Sequence, residues 1–553
     1  MAHEPDNVID HGATPRTDFT GIQSTDQNIN GLLSGLKWTD YQLTYGFPDQ
    51  ISDYNSGDYP DYFSHRSTFY RMTGQQIESV EYWLDQYAAV SGLSFTQLTG
   101  QSGALNEDQE ATLRFANSGD AGTAYAYYPD SHDSGGDIWF DDAGNFPEIG
   151  NYDWLTVGHE LGHALGLSHG HDGDAGYGPM TYSRDSMEFS IMTYRSYVGA
   201  SLDGYTNNSN NFAQSLMMYD IAALQFMYGA NFNSNATSTT YTWSTATGRM
   251  SINGIGQDTP VVNRVFLTIW DGNGSDDHYD LSNYSTNLRL DLNPGAYLDF
   301  DTDGSFQRVV LGNSGGSVER ARGHVFNALQ FEGDKRSLIE NATGGSGSDT
   351  LIGNVADNEL VGNSGNDAMY GQSGDDSLYG GAGRDILSGD AGSDKLKGGK
   401  SHDQLFGGRS DDRLFGNLGN DRMDGGKGAD YLEGDEGNDV LYGLGGDDIL
   451  KGGKDKDIME GGVGNDIMTG GSGNDQFIFA NRFGTDIITD FNTNSDAEYI
   501  DLVAVTEIDD FADLMANHAT QDGAHVVITV NSNTLTLNRT ALDDLSDGDF
   551  LFA

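Results

Sequence analysis

The chain has 553 residues, which is enough for at least two domains that each bury a core of their own. Its 84 acidic residues outnumber its 28 basic ones, and the formal charge of −56 argues against nucleic acid and anionic membrane surfaces as partners. Cysteine is absent, which excludes disulfides, thiolate-bound zinc and a cysteine-based zymogen latch. No apolar run reaches the roughly 18 residues of a membrane helix, so membrane insertion is not expected.

The N-terminal part of the sequence predicts a leader followed by an α+β domain over residues 26–235. Residues 1–25 are polar and aperiodic, like a leader or propeptide, and they lack the basic and apolar stretches of a cleavable signal peptide. Apolar residues recur at helical spacing around 77–87 and 215–228, which predicts two helices. Three short β-prone segments lie between these helices, at 111–115, 123–128 and 137–140.

An eleven-residue motif, H-E-L-G-H-A-L-G-L-S-H, begins at His159 and carries the chemistry of this domain. On a helix, residues four apart share a face, so His159 and His163 can point at one metal ion. Gly166 can adopt the positive φ that ends the helix, and His169 then supplies a third nitrogen. Three protein ligands leave the fourth position of zinc to water, which marks a catalytic site with Glu160 as the general base. Ordinary core or surface histidines are the alternative, but the complete motif is far more restrictive than H-E-x-x-H alone.

Residues 236–340 are predicted to form a β-sandwich region, because they contain turn signals, aromatic residues and β-branched residues but show no helical period. Asp299, Asp301 and Asp303 match the opening of an EF-hand loop. Val310 stands at the twelfth position, where a bidentate glutamate is needed, so an acidic surface loop is the preferred interpretation.

A nine-residue period begins at Gly344 and continues to Phe477. Glycine recurs at every ninth position, an Asp follows each glycine five residues later except at Asn358, and an apolar residue follows two residues beyond. This is the G-G-x-G-x-D-x-U-x repeat of RTX proteins, which predicts a parallel β-roll over 341–479 with two repeats in each coil.

The aspartates of these repeats are the predicted calcium ligands. In the roll each would stack on the Asp two repeats away at about 4.8 Å, where the carboxylates repel unless a cation lies between them. Calcium suits carboxylate and carbonyl oxygens and binds sites of this type at about 10⁻⁴ to 10⁻³ M, so folding and metal binding become one equilibrium. The residues that replace a repeat glycine predict weak or vacant sites: Ala356, Ser401, Ser410 and Asp455. The predicted ligands are Asp349, Asp367, Asp376, Asp385, Asp394, Asp403, Asp412, Asp421, Asp430, Asp439, Asp448, Asp457, Asp466 and Asp475.

Residues 480–553 return to strand-like patterning and form a predicted C-terminal β region. The chain closes with an acidic residue followed by hydrophobic ones at 549–553, which looks like the uncleaved signal of type I secretion. Together with the repeats, this predicts a secreted, extracellular protein and the type I secretion machinery as a partner. Low cytosolic calcium would keep the repeats unfolded for passage, and external calcium would fold them.

The run Ser190–Tyr194, S-I-M-T-Y, resembles the Met-turn of the metzincin peptidases. With the zinc motif and the RTX repeats, the chain resembles the serralysin family of secreted bacterial zinc metallopeptidases from about Ile29 onward. The resemblance implies an α+β metzincin catalytic domain followed by an all-β C-terminal region of β-sandwich elements and a parallel β-roll. It also implies that Met192 forms a floor under the zinc site and that Tyr194 is an extra zinc ligand that later binds the oxyanion.

Two further sites follow from the resemblance. In metzincins an edge strand above the zinc pairs with the substrate backbone, and the candidate strand comprises Ala124, Tyr125, Ala126 and Tyr127. An ordinary sheet strand is the alternative there. Residues 270–276 resemble a calcium loop of the family. The chain departs from the family where Gly170 replaces a proline after the third histidine, and the adjacent His171 is a poorly spaced rival ligand.

The sequence therefore predicts a calcium-stabilised zinc endopeptidase with one catalytic zinc ion and several structural calcium ions. Its expected substrates are extracellular proteins or peptides, and the expected assembly is a monomer. The alternative is a calcium-dependent RTX adhesion or matrix protein with an inactive peptidase domain. The length of the roll favours this alternative, whereas the complete zinc motif argues against it.

Overall fold

The structure is a computed structural model, which describes residues 16–18, 21–54, 62–98, 111–132, 134–495 and 497–553. Most of the predicted leader, residues 1–15 and 19–20, lies outside the described residues. The chain divides into two compact units. The first comprises the described residues up to Asp277 with Pro294–Phe300 and Ser305–Ile339, and the second comprises His278–Asn293, Asp301–Gly304 and Glu340–Ala553. The region 236–340 thus contributes to both units, and the boundaries at 235, 340 and 479 stay predictions.

The first unit contains three long helices and a mixed sheet. The helices are α1 (Gly74–Val90), α2 (Tyr152–Ala164) and α3 (Met218–Tyr228). The sheet strands are β1 (Gln42–Gly46), β2 (Phe69–Tyr70), β3 (Ser94–Gln97), β4 (Leu113–Ser118), β5 (Ala124–Ala126) and β6 (Asp137–Phe140). Their order is β3-β1-β4-β6-β5, with β2 also paired to β4. β5 is antiparallel to β6 and lies at the edge of the sheet.

The remaining elements of this unit are short. The helical turns are Gln27–Asn30, Ile51–Asp53, Tyr62–His65, Asp174–Gly176 and Lys335–Ser337. The strands are Arg16–Asp18, Leu36–Trp38, Thr240–Trp243, Met250–Ile252, Ile255–Gly256, Leu267–Ile269, Tyr297–Asp299, Val310–Ser314, Ser317–Arg320 and Val325–Asn327.

Helix α1 forms where the sequence predicted one, and it packs against α2. Thr73 caps its N-terminus, because the hydroxyl accepts the N–H of Gln76 and the Gln76 side chain accepts the N–H of Thr73. The indole of Trp83 donates to the carbonyl of Trp154, and its ring leaves no room for a side chain at Gly158, where a Cβ would lie 2.6 Å from the ring. Close packing on α1 therefore fixes the position of the helix that carries the zinc motif.

The second unit is built from two sheets whose parallel strands alternate along the chain through the repeats, while Ala519–Asp522, His525–Val530 and Asn533–Leu537 form antiparallel pairs at the end of one sheet. One sheet contains, in spatial order, His278–Asp280, Asn341–Thr343, Glu359–Ser364, Ser377–Ala382, Lys395–Lys400, Arg413–Leu418, Tyr431–Glu436, Ile449–Lys454, Ile467–Ser472, Thr485–Ile488, Asn533–Leu537, His525–Val530 and Ala519–Asp522. The other contains Arg289–Asp291, Thr350–Ile352, Ala368–Tyr370, Ile386–Ala391, Gln404–Arg409, Arg422–Lys427, Val440–Gly445, Ile458–Val463, Gln476–Ala480, Tyr499–Ala504 and Phe550–Leu551. Short helical turns lie at Phe511–Asp513, Leu514–His518, Leu542–Asp544 and Asp547–Asp549.

The predicted coil of two repeats is confirmed by the register of these sheets. Leu378 pairs with Leu396 and Leu396 with Leu414, so equivalent residues stand 18 positions apart on adjacent parallel strands. These leucines are fully buried, and each contributes about 2 kcal/mol by leaving water. The predicted fold class, an α+β domain followed by an all-β region with a parallel roll, is confirmed.

The helices of the described residues are each too short or too polar to span a bilayer.

Candidate active site

Helix α2 presents His159, Glu160 and His163, and the turn after it adds His169. Asn151 caps the helix by accepting the N–H of Trp154 at 2.7 Å. The helix ends at Ala164, and Gly166 just beyond it has a φ of +100° and no room for a side chain, because a Cβ would lie 2.2 Å from the carbonyl oxygen of Leu36.

The three imidazoles of His159, His163 and His169 converge. Nε2 of His169 lies 3.3 Å from Nε2 of His159 and 3.0 Å from Nε2 of His163. Nδ1 of each ring lies 2.7–2.8 Å from an acceptor: the carbonyls of Ile191 and Leu167 and the carboxylate of Asp172. Because these acceptors take the Nδ1 protons, the three Nε2 lone pairs are left facing one another, an arrangement that a shared cation satisfies.

The electrostatics also suit a metal ion. Burial, together with the neighbouring imidazoles, lowers the pKa of His159 and of His169 to about 3 and the pKa of His163 well below its usual range. Neutral imidazole is the form that binds zinc, and three nitrogen ligands are a common catalytic set. The residues present therefore fit zinc.

Glu160 is buried beside the triad and faces the cleft. Within the described part of the chain, its Oε2 atom has no hydrogen-bond partner. Burial raises the pKa of Glu160 to about 7. A carboxyl with a free oxygen and a pKa near neutrality suits proton transfer to and from a substrate.

The turn that contains Met192 packs directly beneath α2. A Cβ at Gly162, between His159 and His163 on the helix, would lie 2.6 Å from the sulfur of Met192, so only glycine allows this approach. Asp220 on α3 holds the turn. Its fully buried carboxylate accepts the hydroxyl of Ser190 at 2.6 Å and the N–H of Ile191 at 2.8 Å.

Asp220 was not predicted from the sequence, although it acts on the site through a single residue, Ile191. Ile191 donates its N–H to Asp220, and its carbonyl oxygen accepts the Nδ1 proton of His159. The carboxylate thus orients a ring of the triad without touching it. No local sequence signal marks this residue, because the contact joins two segments about 30 residues apart.

The predicted calcium carboxylates form two continuous ladders in the second unit. Oδ1 of Asp412, for example, accepts the N–H of Asp394 at 2.8 Å. Its Oδ2 atom is buried and lacks a partner among the described residues, as in all the predicted ligands except Asp349. A Cβ at Gly407 would lie 2.5 Å from Oδ2 of Asp412 and 2.5 Å from the carbonyl oxygen of Gly425, so carboxylate and carbonyl oxygens converge there. This donor set fits calcium.

The two ends of the ladders differ from the sequence pattern. Both oxygens of Asp349 accept backbone N–H groups, from Leu288 and Gly345, and its role as a calcium ligand stays a prediction. Asp486, which the nine-residue period did not include, accepts the N–H of Asp466 at 2.9 Å and has an unpartnered Oδ2 atom. It therefore continues the ladder of Asp448 and Asp466 by one step.

Three of the four residues that replace a repeat glycine take a left-handed φ, between 71° and 81°: Ser401, Ser410 and Asp455. The adjoining carboxylates Asp403, Asp412 and Asp457 keep the unpartnered Oδ2 atom of the other sites. The backbone of the predicted weak sites thus follows the same path as its neighbours, at the cost of some local strain.

Comparison with known proteins gives the same two modules. The sequence profile of metallo-peptidase family M12 matches residues 25–245, and that of the RTX calcium-binding nonapeptide repeat matches 343–378, 379–414, 406–441 and 442–477. Serralysin A of Dickeya chrysanthemi is 33% identical over 63% of this chain and 67% of its own length, and the metallopeptidase AprA of Pseudomonas marginalis is 30% identical over 64% and 70%. The chain belongs to the serralysin family.

Serralysin G of Dickeya chrysanthemi is 32% identical over 62% of this chain, and the chain spans 66% of that relative, slightly less than two thirds. The predicted cofactors of the serralysin modules are confirmed: zinc for the metallopeptidase domain and calcium for the repeats.

Tyr194 lies against the triad of this serralysin. Its half-buried ring stacks on His159 at 5.9 Å and tilts against His169 at 4.5 Å between centroids. Burial raises the pKa of the Tyr194 hydroxyl above its ordinary value, and nearby Glu160 adds to the rise. The hydroxyl therefore stays protonated and can donate a hydrogen bond.

The cleft beside the triad has a volume of about 850 Å³ and is lined on one side by the edge strand β5. Ala124 and Tyr125 line it, Ala126 is a buried strand residue, and Tyr127 is buried beyond the end of the strand. Leu155, Tyr205 and Phe212 also line the cleft and contribute apolar surface to it.

His65 also lines the cleft and was not anticipated from the sequence. Its ring stacks on Trp139 at 4.1 Å, and Nδ1 lies 2.7 Å from the hydroxyl of Ser118. Nε2 lies 2.5 Å from the hydroxyl of Tyr125. These contacts fix the Tyr125 side chain at the edge of β5, and they join residues too distant in sequence for any local pattern to show.

The departures from the family pattern leave the triad undisturbed. Gly170 donates its N–H to the carbonyl of Met192 at 3.4 Å, a bond that proline could not make, and a Cβ there would lie 2.6 Å from the sulfur of Met180. His171 stacks on His169 at 5.3 Å, and its Nε2 lies 3.4 Å from a carboxylate oxygen of Asp172.

Proposed function

We propose that this chain is a secreted zinc endopeptidase that cleaves extracellular proteins or peptides. The observation that carries the proposal is the convergence of three Nε2 atoms beside a buried glutamate whose free oxygen faces a cleft with an open strand edge. His159, His163 and His169 would hold the metal. Bound zinc supplies Lewis acidity, lowering the pKa of a bound water towards 7 and polarising a carbonyl group.

Glu160, Tyr194 and strand β5 carry out the other steps of the reaction. Glu160 accepts the proton of the attacking water and delivers it to the leaving amine. Tyr194 donates a hydrogen bond to the carbonyl oxygen as negative charge develops on it. The free edge of β5, at Ala124 to Ala126, pairs with the backbone of the substrate and aligns it along the cleft.

Export by the type I pathway is part of the proposal and is supported by the RTX repeats. Phe550 is buried and Phe550–Leu551 pairs with Tyr499–Ala504 in the folded unit. A secretion signal that includes Phe550 and Leu551 would therefore have to be recognised by the export machinery before the second unit folds. The adhesion or matrix alternative, with an inactive peptidase domain, is not favoured, because three imidazoles converge beside the buried Glu160 at the cleft.

Zinc withdrawal tests the proposal. In buffer with saturating calcium, a zinc-selective chelator is expected to abolish the hydrolysis of casein, and added zinc should restore it. Tryptophan fluorescence serves as the control for folding, because all six tryptophans lie in the first unit. Hydrolysis that persists after zinc is removed, or no hydrolysis by the zinc-loaded chain, would overturn the proposal.

The Tyr194→Phe variant tests the role of the tyrosine. Removing one donor to a developing oxyanion should lower kcat by about 10²-fold and leave KM and zinc content nearly unchanged. Tyr182→Phe, at an exposed tyrosine, is the matched control. A large rise in KM at unchanged kcat would show that the hydroxyl binds the substrate instead.

A further inference from the structure

We propose that one face of the roll is a docking surface for an anionic polysaccharide. The surface lies on three adjacent strands, Ser377–Ala382, Lys395–Lys400 and Arg413–Leu418. We call its residues the basic–aromatic patch: Tyr379, Lys395, Lys397, Lys400, Arg413 and Phe415. The proposal does not depend on the catalytic function.

The charge of the patch is opposite to that of the rest of the molecule. The three strands contain four basic residues and no acidic residue, in a chain with a net charge of −56. Within the described residues, none of the four cations forms an ion pair or a side-chain hydrogen bond. Basic residues farther along the same sheet are used internally, because Lys454 pairs with Glu436 and Lys451 donates to the hydroxyl of Tyr431. Within the described strands of this sheet, the unpaired positive charge is thus concentrated in these three.

Aromatic rings flank the central cation of the patch. The register places Tyr379, Lys397 and Phe415 side by side on adjacent strands, and the ammonium of Lys397 lies 5.8 Å from the centroid of each ring. Lys395 and Arg413 occupy the parallel column two residues earlier on the same strands, and Arg413 and Lys400 are exposed. Adjacent strands are about 4.8 Å apart, so the cationic and aromatic side chains of the patch recur at that spacing along a line that runs across the three strands.

This combination selects a polysaccharide among anionic polymers. Aromatic side chains offer flat apolar surface for the apolar faces of sugar rings, while lysine and arginine bind carboxylate or sulfate groups. Nucleic acid carries a charge every 1.7 Å or so and would meet strong repulsion from the acidic remainder of the chain. A sugar polymer with spaced charges can engage the patch without extending over that remainder.

The test compares two triple variants of the full chain at saturating calcium. Lys395→Gln/Lys397→Gln/Lys400→Gln removes three cations from the patch, and Arg409→Gln/Arg422→Gln/Lys427→Gln removes three from the other sheet. The probes are dextran sulfate, uncharged dextran of the same length, single-stranded DNA and phosphatidylglycerol vesicles. Binding is measured by affinity electrophoresis and calorimetry, and equal calcium midpoints and melting temperatures verify that each variant is folded.

We expect the wild-type chain to bind dextran sulfate in a salt-dependent manner and not to bind uncharged dextran. The patch variant should bind about tenfold more weakly or worse, and the control variant within about twofold of the wild type, because affinity follows the number of neutralised charges. Phe415→Ala should also weaken dextran sulfate binding, which a purely ionic surface would not show. Equal losses in the two triple variants, an unaffected Phe415→Ala variant, or equally tight patch-dependent binding of DNA or vesicles would overturn the proposal.

Discussion

The Glu160→Gln variant is expected to bind zinc normally and to lose nearly all turnover. Amide nitrogen and oxygen replace the carboxylate with the same shape, so the triad and its Nδ1 partners are unaffected, while the group that accepts the proton is gone. General-base catalysis contributes about 10²- to 10⁴-fold, and kcat should fall by that factor. Peptide hydrolysis under single-turnover conditions, with zinc content measured on the same sample, checks the result.

Glu148→Gln is the matched control, since Glu148 is exposed and lies just before the N-terminus of α2. Its kcat should match that of the wild-type chain. Full activity of Glu160→Gln would show that another group accepts the proton. Loss of zinc from that variant would show that Glu160 holds the metal site together instead.

Removal of calcium is expected to unfold the roll at pH 8 and to leave it folded near pH 5. Burial, with repulsion from neighbouring carboxylates, raises the pKa of Asp403, Asp412 and Asp457 to about 8 and that of several others in the ladders to about 6 or 7. These values lie above the ordinary value in the unfolded chain. The protonated aspartates therefore stabilise the calcium-free roll fully at a pH below their pKa in the unfolded chain. This stabilisation is lost as the pH rises through about 6 to 8.

Far-ultraviolet circular dichroism in a calcium chelator, from pH 4 to pH 9, checks this expectation, because the roll is built from β-strands. Calcium at about 10⁻³ M should restore the β signal at pH 8. Asp412→Asn should raise the calcium midpoint, whereas Asp411→Asn, which removes the same charge from an exposed neighbour, should change it little. A roll that stays folded at pH 8 without calcium would contradict the account of the unpartnered Oδ2 atoms.

The parts of the site that repeat at short intervals could be predicted from the sequence. His159 and His163 are one helical turn apart, and the roll aspartates recur every nine residues, so periodicity alone indicates which residues share a face or a ladder. Asp486 could not be predicted from the period, because it follows Asp466 by 20 residues, whereas successive aspartates elsewhere in each ladder are 18 residues apart. The irregular final coil interrupts the nine-residue period, but its aspartate still accepts a backbone N–H as the other ladder aspartates do.

Residues that act through tertiary contacts could not be found in this way. His65 meets Tyr125 across 60 positions, and Asp220 reaches the Met192 turn from another helix. Both are polar groups buried by packing, and burial is decided by the whole fold. The hydrogen bond at Asp349 has the same origin, since the N–H of Leu288 comes from a segment 61 residues earlier in the chain.

The most direct test of the central claim is the zinc content of the chain after dialysis at saturating calcium, measured beside that of the His163→Ala variant. The account predicts one tightly held zinc ion per wild-type chain and almost none in the variant, with the roll folded in both. A wild-type chain that holds no zinc, or a variant that keeps it, would contradict the claim that His159, His163 and His169 together bind the catalytic metal.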